Sequence, residues 1–338
     1  MRCLALLMTL LLTGCARPLQ RFEFTRLCMG VQTRIVAYSP EQTRAESAAA
    51  AAFERIDRLD AVMSDYRRGS ELNRLSDAAG GPPVPVSRDL FDVLLTSQDV
   101  ALASGGTFDI TVGPAVALWR KARSTGRLPE PDQTARALAL IGWERLELNR
   151  TARTARLTTP GMRLDLGGIA KGFAAEEGVR SLRARGIGRC LVALAGDVFV
   201  GDPPPGDPGW RIEIRGEQGS GPTGTLLISN SAVSTSGDTE QFFVLGGRRY
   251  SHIIDPRTGL GIPDRRSVTV VAPRGAWADA LATPACILGP EASTRMFAAF
   301  PGTAALFEQH GEPGPVRTTL DPARVLRWAG VAAPATPR

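Results

Sequence analysis

At 338 residues, with 43% hydrophobic and 22% charged residues, the chain has the composition of a soluble globule, not of a disordered or membrane-spanning protein. Its net charge of +6 is mild and spread along the sequence. No Lys/Arg run with interleaved aromatics occurs, which argues against nucleic-acid binding and leaves an anionic small ligand open.

The first residues, "MRCLALLMTLLLTGCARP", hold one positive residue, Arg2, ahead of an apolar run over 3–12, and Gly14 before Cys15. That run is too short to span a bilayer comfortably and has signal-peptide proportions. It resembles a bacterial lipoprotein signal, in which Cys15 is lipidated and begins the mature chain. The alternative is an ordinary cleaved signal with an incidental cysteine. Both readings make the protein exported, and the first anchors it to a membrane facing the periplasm or the cell exterior, inner or outer membrane left open. Residues 1–14 thus read as the signal peptide, 15–21 as an anchor linker, 22–330 as a single domain and 331–338 as a disordered tail. Cys28, Cys190 and Cys286 are too widely spaced for a zinc or redox motif, and the last two read as small buried hydrophobes.

Along the exported part, 22–38 predicts a strand pair and 40–63 a long helix with Ala52, Ile56, Leu59 and Met63 on one stripe. Ser70 is placed to cap a short helix, and "SRDLFDVLLTSQDVALASGG" predicts a second amphipathic helix stopped by Gly105-Gly106. Pro114 marks the start of a third. "ERLELNRTARTARL" alternates like a hairpin, running into "DLGGIAKG" and a helix over about 169–185. Strand-like runs follow in "CLVALAGDVFVG", "WRIEIRG", "GTLLISNSAVSTS", "EQFFVLGGRRYSHII" and "RSVTVVAP", then a helix in "GAWADALATPACILG". Helices first and antiparallel-looking strands later, without a repeat or linker, favour an α+β fold: mixed, largely antiparallel sheets with packed helices.

Five polar-glycine stretches interrupt these elements: "GGTFDITVGP", "DLGGIAKG", "ALAGDV", "STSGDTEQF" and "SHIIDPRTG". Each alone reads as a turn; together they suggest a site for an extended charged ligand, because glycines let backbone N–H groups approach phosphates. "DLGGIAKG" itself fits neither the nucleotide-loop nor the dinucleotide pattern. Asp279 and Thr283, four apart on a predicted helix, share one face and offer a carboxylate and a hydroxyl to one hard cation such as Mg²⁺. The plain alternative is an acid in the first turn and a threonine bonding back into the helix. Pro284 cannot donate to the Ala280 carbonyl, so the helix is expected to kink or loosen there. Trp119 and Trp277 read as core residues before ring-stacking ones, and His310 as a surface residue.

The motifs Met29-Gly30, "MSDY", "FDITVGP", "DLGGIAKG", "STSGD", "SHIIDPRTG" and "ADALAT" occur in an order that resembles the ApbE family of bacterial flavin transferases, over nearly the whole exported chain. The resemblance implies a fold similar to the T-fold and transfer of FMN from FAD to a threonine of a partner protein, such as a flavin-bearing subunit of a respiratory complex, with AMP released. It implies an FAD site lined by Met29, Tyr66, Thr107, Phe108, Asp109, Asp165, Lys171 and the Ile253 region, and Mg²⁺ held by Asp279, Thr283 and the Gly168 carbonyl. Cleaving a pyrophosphate needs its oxygens neutralised, which Mg²⁺ and a lysine can do. A threonine hydroxyl needs a base, and His252 is the candidate, with Asp238 as its orienter or alternative; a strand-capping role for His252 stays open. Water as acceptor would make the protein an FAD pyrophosphate hydrolase giving FMN and AMP, and no turnover would make it a flavin-binding lipoprotein. Two departures from the family pattern stand at the strand end, Ala193 and Ala195, and a third is Pro284.

Overall fold

The computed structural model describes residues 17–329 apart from 216–221, 238–241, 246–247, 264, 310 and 312–313. The leader with Cys15, Asp238, His310 and the tail therefore lie outside the described residues.

Strands β1 (Gln20–Cys28) and β2 (Val31–Ser39) pair antiparallel around a two-residue turn. Met29 at φ 49 and Gly30 at φ 73 take the left-handed backbone that matches the twist of a tight hairpin. For Met29, which carries a Cβ, this costs about 1–2 kcal/mol. Helix α1 (Gln42–Met63) follows, burying Ala45, Ala49, Ala52, Ile56, Leu59 and Met63 at helical spacing. The Ser70 hydroxyl accepts the Asn73 N–H at 3.1 Å and caps α2 (Glu71–Asp77). After β3 (Val84–Pro85), Ser87 caps α3 (Arg88–Ala103) in the same way. Helix α4 (Gly113–Thr125) opens on Pro114 and closes at left-handed Gly126. Helix α5 (Pro131–Leu138) was not foreseen; eight residues are too few for a clear period, though Glu130 and Gln133 form a capping box at its start.

β4 (Leu146–Asn149) and β5 (Thr154–Leu157) form the expected hairpin, and β3 adds to it. The chain then enters the glycine loop and helix α6 (Ala170–Arg183). "CLVALAGDVFVG" is two strands, not one: β6 (Cys190–Leu194) and β7 (Asp197–Val200) turn at Ala195, which takes φ 52. β8 (Trp210–Arg215) pairs with β9 (Pro222–Ile228), and β10 (Ser231–Gly237) returns to the main sheet. Small hairpins follow: β11 (Phe242–Leu245) with β12 (Arg248–Ser251), and β13 (Ile254–Asp255) with β14 (Leu260–Gly261). The chain ends with β15 (Arg266–Ala272), helix α7 (Gly275–Ala298), β16 (Ala304–Gln309) and β17 (Val316–Leu320).

Eight strands form the main sheet in the order β1-β2-β6-β7-β10-β15-β16-β17, each antiparallel to its neighbours. The fold is thus mixed α+β with antiparallel sheets. Alternation along its strands feeds two cores. Ile35, Val192, Leu194, Val268 and Val270 face α1, α6 and α7. Val36, Leu191, Ala193 and Val271 face the other way, toward Trp210, Ile214 and Leu226 of the β8–β9 hairpin.

Helix α7 keeps helical backbone angles at Pro284, where the sequence predicts a kink or loosening. Its only non-helical residue is Gly289, at φ 78 and ψ 175. A proline's φ near −65° suits a helix, so Pro284 costs a bond but not the course of the chain. Gly289 is free to leave the helical region, and Pro290 follows it. The Cys286 carbonyl, which Pro290 cannot serve, accepts instead from the Arg266 guanidinium at 2.7 Å.

Candidate functional site

The site begins where α6 crosses α7. A Cβ on Gly172 would run into the Gly275 carbonyl, and one on Gly275 into the Gly172 carbonyl, so two glycines let the backbones touch. Two carboxylates brace this crossing reciprocally. The Gly172 N–H donates to Asp279 Oδ2 at 2.9 Å, and the Gly275 N–H donates to Glu176 Oε2 at 2.9 Å. Ile169, at the N-cap of α6, has no capping side chain, so Asp279 satisfies that helix end from another helix. One turn along α7, Thr283 meets the loop: a Cβ on Gly168 would lie 3.2 Å from Thr283 Oγ1 and 3.4 Å from the Phe108 ring. The loop is fixed upstream by the Asp165 N–H, which donates to the Ile110 carbonyl at 2.8 Å, and by Asp165 Oδ1, which accepts the Gly167 N–H at 2.8 Å.

Lys171 reaches into this corner. Its Nζ stands 3.0 Å from Asp197 Oδ2, 3.3 Å from the Gly167 carbonyl and 3.9 Å from Asp279 Oδ2. Asp197 opens β7, is buried, and accepts the Ser234 hydroxyl at 2.5 Å. Burial, reinforced by the Asp197 charge, pushes the Asp279 carboxyl up to about 7 against the pull of Lys171 and the Gly172 N–H. Burial opposes the charge on Lys171, but Asp279 and then Asp197 outweigh it and hold the ammonium above the ordinary lysine range. Asp165 is likewise raised by burial and by Asp65, against the Gly167 N–H, Arg120 and Lys171.

Tyr66 is connected to this corner through Arg120. The tyrosine is 75% exposed, and the Arg120 guanidinium lies 4.1 Å over its ring. Arg120 also pairs closely with Asp65 and donates to Asp165 Oδ2 at 3.1 Å. The Asn73 amide holds the turn that presents Tyr66, donating to the Asp65 and Arg67 carbonyls at 2.9 and 3.0 Å. A cavity of about 510 Å³ opens beside it, lined by Asp65, Tyr66, Asn73, Asp77 and Arg163 among others. Two residues of this constellation were missed. Asp197 sat inside a motif already singled out, and pairing with Lys171 is what separates it from a turn aspartate. Arg120 carried no signal, since an arginine on an amphipathic helix is ordinary.

The other sequence candidates are placed differently. Asp109 turns inward: Oδ1 accepts the Thr111 N–H and hydroxyl at 2.8 and 2.7 Å, and Oδ2 the Trp143 N–H at 3.0 Å. Thr107 and Phe108 are buried beside it. Met29 occupies the β1–β2 turn, half-buried against the core. Ile253 is buried, its N–H donating to the Ser251 hydroxyl at 3.1 Å and its carbonyl accepting from Ile262 at 2.9 Å. His252, between them, is exposed. Trp119 is a core residue, tilted on Tyr250 with its Nε1 donating to the Gly259 carbonyl at 2.5 Å. Ala193 packs into the core beside Trp210, and Cys28, Cys190 and Cys286 are buried thiols outside any disulfide.

Among the described residues no cluster of three or more His, Cys, Asp or Glu is suited to a metal, and no helix is long and apolar enough to cross a membrane. The crossing offers oxygens of another kind: the buried Asp279 carboxylate and, one turn along, the Thr283 hydroxyl, beside a Gly168 that has no Cβ to crowd it. That hard, mostly neutral set fits Mg²⁺, which takes few protein ligands and completes its shell with water and phosphate. Two buried carboxylates face one ammonium, and a bound cation would favour the ionised form of Asp279 that burial and Asp197 oppose.

Residues 29–307 match the profile of the ApbE family. The FAD:protein FMN transferase of Treponema pallidum is 36% identical over 304 residues, 84% of each chain, and that of Escherichia coli K12 is 33% identical over 245 residues, 70% of each. Among solved structures, apo flavinyl transferase ApbE of Pseudomonas stutzeri superposes with a TM-score of 0.80 at 27% identity, covering 93% of this chain and 99% of that one. The flavin transferase ApbE from Vibrio cholerae gives 0.79 at 26%, covering 92% and 100%.

Proposed function

The chain belongs to the ApbE family, and from that premise we propose that it is an enzyme that transfers FMN from FAD to a threonine of an acceptor flavoprotein subunit. The threonine oxygen attacks the FMN-side phosphorus, the bond to the bridging oxygen breaks, and AMP leaves carrying that oxygen. The observation that carries this reading is the corner where Lys171, Asp279, Thr283 and Gly168 meet on the α6–α7 crossing. Asp279, Thr283 and the Gly168 carbonyl would hold Mg²⁺, which would neutralise charge on the pyrophosphate oxygens. Lys171 adds a fixed positive charge beside the same oxygens, and the Gly167–Gly168 backbone lets the phosphates come close. Tyr66 offers a ring face to the dinucleotide, and Asp165 orders the loop beneath it. His252, exposed after β12, accepts the threonine proton as the bond forms, with Asp238 as its orienter.

The test is mass spectrometry of a threonine-bearing acceptor domain after incubation with FAD and Mg²⁺. An FMN adduct on threonine with one AMP released per adduct supports transfer. AMP formed at the same rate without acceptor would make water the acceptor, and tight FAD binding with no AMP would leave a flavin-binding protein.

For localisation, the apolar run and Cys15 support a lipid-anchored protein exported to the periplasm or cell exterior. Cys15→Ser should move the protein from the membrane pellet to the soluble fraction. An unchanged distribution would remove the anchor.

A further inference from the structure

Lys171 has two carboxylates within reach, and the geometry divides them unequally. Asp197 Oδ2 lies 3.0 Å from Nζ, whereas Asp279 Oδ2 lies 3.9 Å away and already accepts the Gly172 N–H at 2.9 Å. Asp197 is the better-anchored partner. It stands at the start of β7, an inner strand between β6 and β10, and its other oxygen accepts the buried Ser234 hydroxyl of β10 at 2.5 Å. Each Asp197 oxygen thus has its own partner, and the rotamer is set by two neighbouring strands. Lysine, by contrast, is a flexible point charge that goes where the nearest fixed anion lies.

We propose that Asp197 is a positioning residue that draws the Lys171 ammonium away from Asp279 and so keeps the Asp279 carboxylate available to a divalent cation. The inference rests on the metal reading given above. Without Asp197, the carboxylate left within ion-pair distance of the ammonium is Asp279, on the same helix-crossing corner, and the lysine becomes an internal competitor for the cation. Ser234 acts one step further out, by holding Asp197. An outer-shell group of this kind governs metal affinity without touching the metal.

The test reads Mg²⁺ binding directly, as the Mg²⁺-dependent shift in melting temperature of the full exported chain without FAD. Wild type should show a saturable shift. Asp197→Asn, nearly isosteric, should raise the Mg²⁺ concentration at half-shift about tenfold or more, and Ser234→Ala by a smaller factor. Adding Lys171→Met to Asp197→Asn should return the midpoint close to that of wild type, because the competitor is gone, although FAD turnover stays lost. A purely structural role for Asp197 would not produce that rescue. A second readout uses the scarcity of lysine in the chain, which holds only Lys121 and Lys171. Trace acetylation at fixed pH, with exposed Lys121 as internal reference, should show Mg²⁺ altering Lys171 labelling in Asp197→Asn and leaving it unchanged in wild type. An unchanged midpoint in folded Asp197→Asn, or no rescue in the double variant, overturns the inference; should Asp197→Asn fail to fold, an unchanged midpoint in Ser234→Ala overturns it. No Mg²⁺ shift in wild type would instead overturn the metal reading beneath it.

Discussion

The α6–α7 crossing and the Tyr66 turn are the two walls of the candidate site, and they are built on opposite terms. At the crossing, Gly172 and Gly275 touch backbone to backbone, and Glu176, Asp197 and Asp279 each accept a hydrogen bond. At the turn, Tyr66 is 75% exposed, and the partly exposed Arg120 holds it through a ring contact while pairing with Asp65 and Asp165. A wall whose polar groups are already committed suits a part of the ligand that never varies, the pyrophosphate. A wall held by one guanidinium suits a place where a ring must enter and a partner must reach.

The sharpest way to break this comparison is at Asp279. Asp279→Ala should lower Mg²⁺-dependent FAD turnover by at least about a hundredfold; full activity would remove the metal assignment. Gly275→Ala comes next, because no flexible side chain can yield at a backbone contact: a loss of about 3 kcal/mol or more is expected in urea unfolding. A loss under about 0.5 kcal/mol would mean that the crossing is loosely packed. The third prediction follows from proton linkage. The Asp279 carboxyl is raised from 3.8 to about 7 in the folded protein, so between those values the folded state binds more protons than the unfolded one. Stability of the metal-free protein should therefore fall as pH rises through that window and level off above it. Asp279→Asn should flatten that slope, and an unchanged slope would assign it elsewhere.

At the open wall the effects should be smaller. Arg120→Ala should raise the KM for FAD about fivefold with kcat nearly unchanged. A fall in kcat at constant KM would mean that Arg120 acts on the chemistry rather than on Tyr66. Ala195 holds φ 52 at the β6–β7 turn. Ala195→Gly should relieve that strain and stabilise the protein by about 0.5 kcal/mol, the relief being partly offset by glycine's larger unfolded-state entropy. A destabilised variant would show that the methyl group packs.

Much of the fold was legible because its signals are local. The α1 stripe, the Ser70 cap, the strand pair over 22–38 and the Pro114 start each depend on residues within a few positions of one another. The failures have local causes too. Helix α5 is too short to show a period, and the two strands of "CLVALAGDVFVG" are apolar on both faces, which hides the turn between them. Pro284 is a strong breaker in isolation, yet the break fell at Gly289, where backbone freedom allowed it.

The site divides along the same line. Spacing alone put Asp279 and Thr283 on one helical face, and the glycines of "DLGGIAKG" marked a close backbone approach, since both follow from the geometry of a single segment. Nothing in the chain order says that Asp279 would cap α6, that Asp197 and not Asp279 would hold Lys171, or that Arg120 would join Tyr66 to Asp165. Those pairings join residues 26 to 107 positions apart. They exist because one antiparallel sheet and one two-glycine crossing bring separate segments into a shared, poorly solvated corner, where each buried charge must find its partner in space.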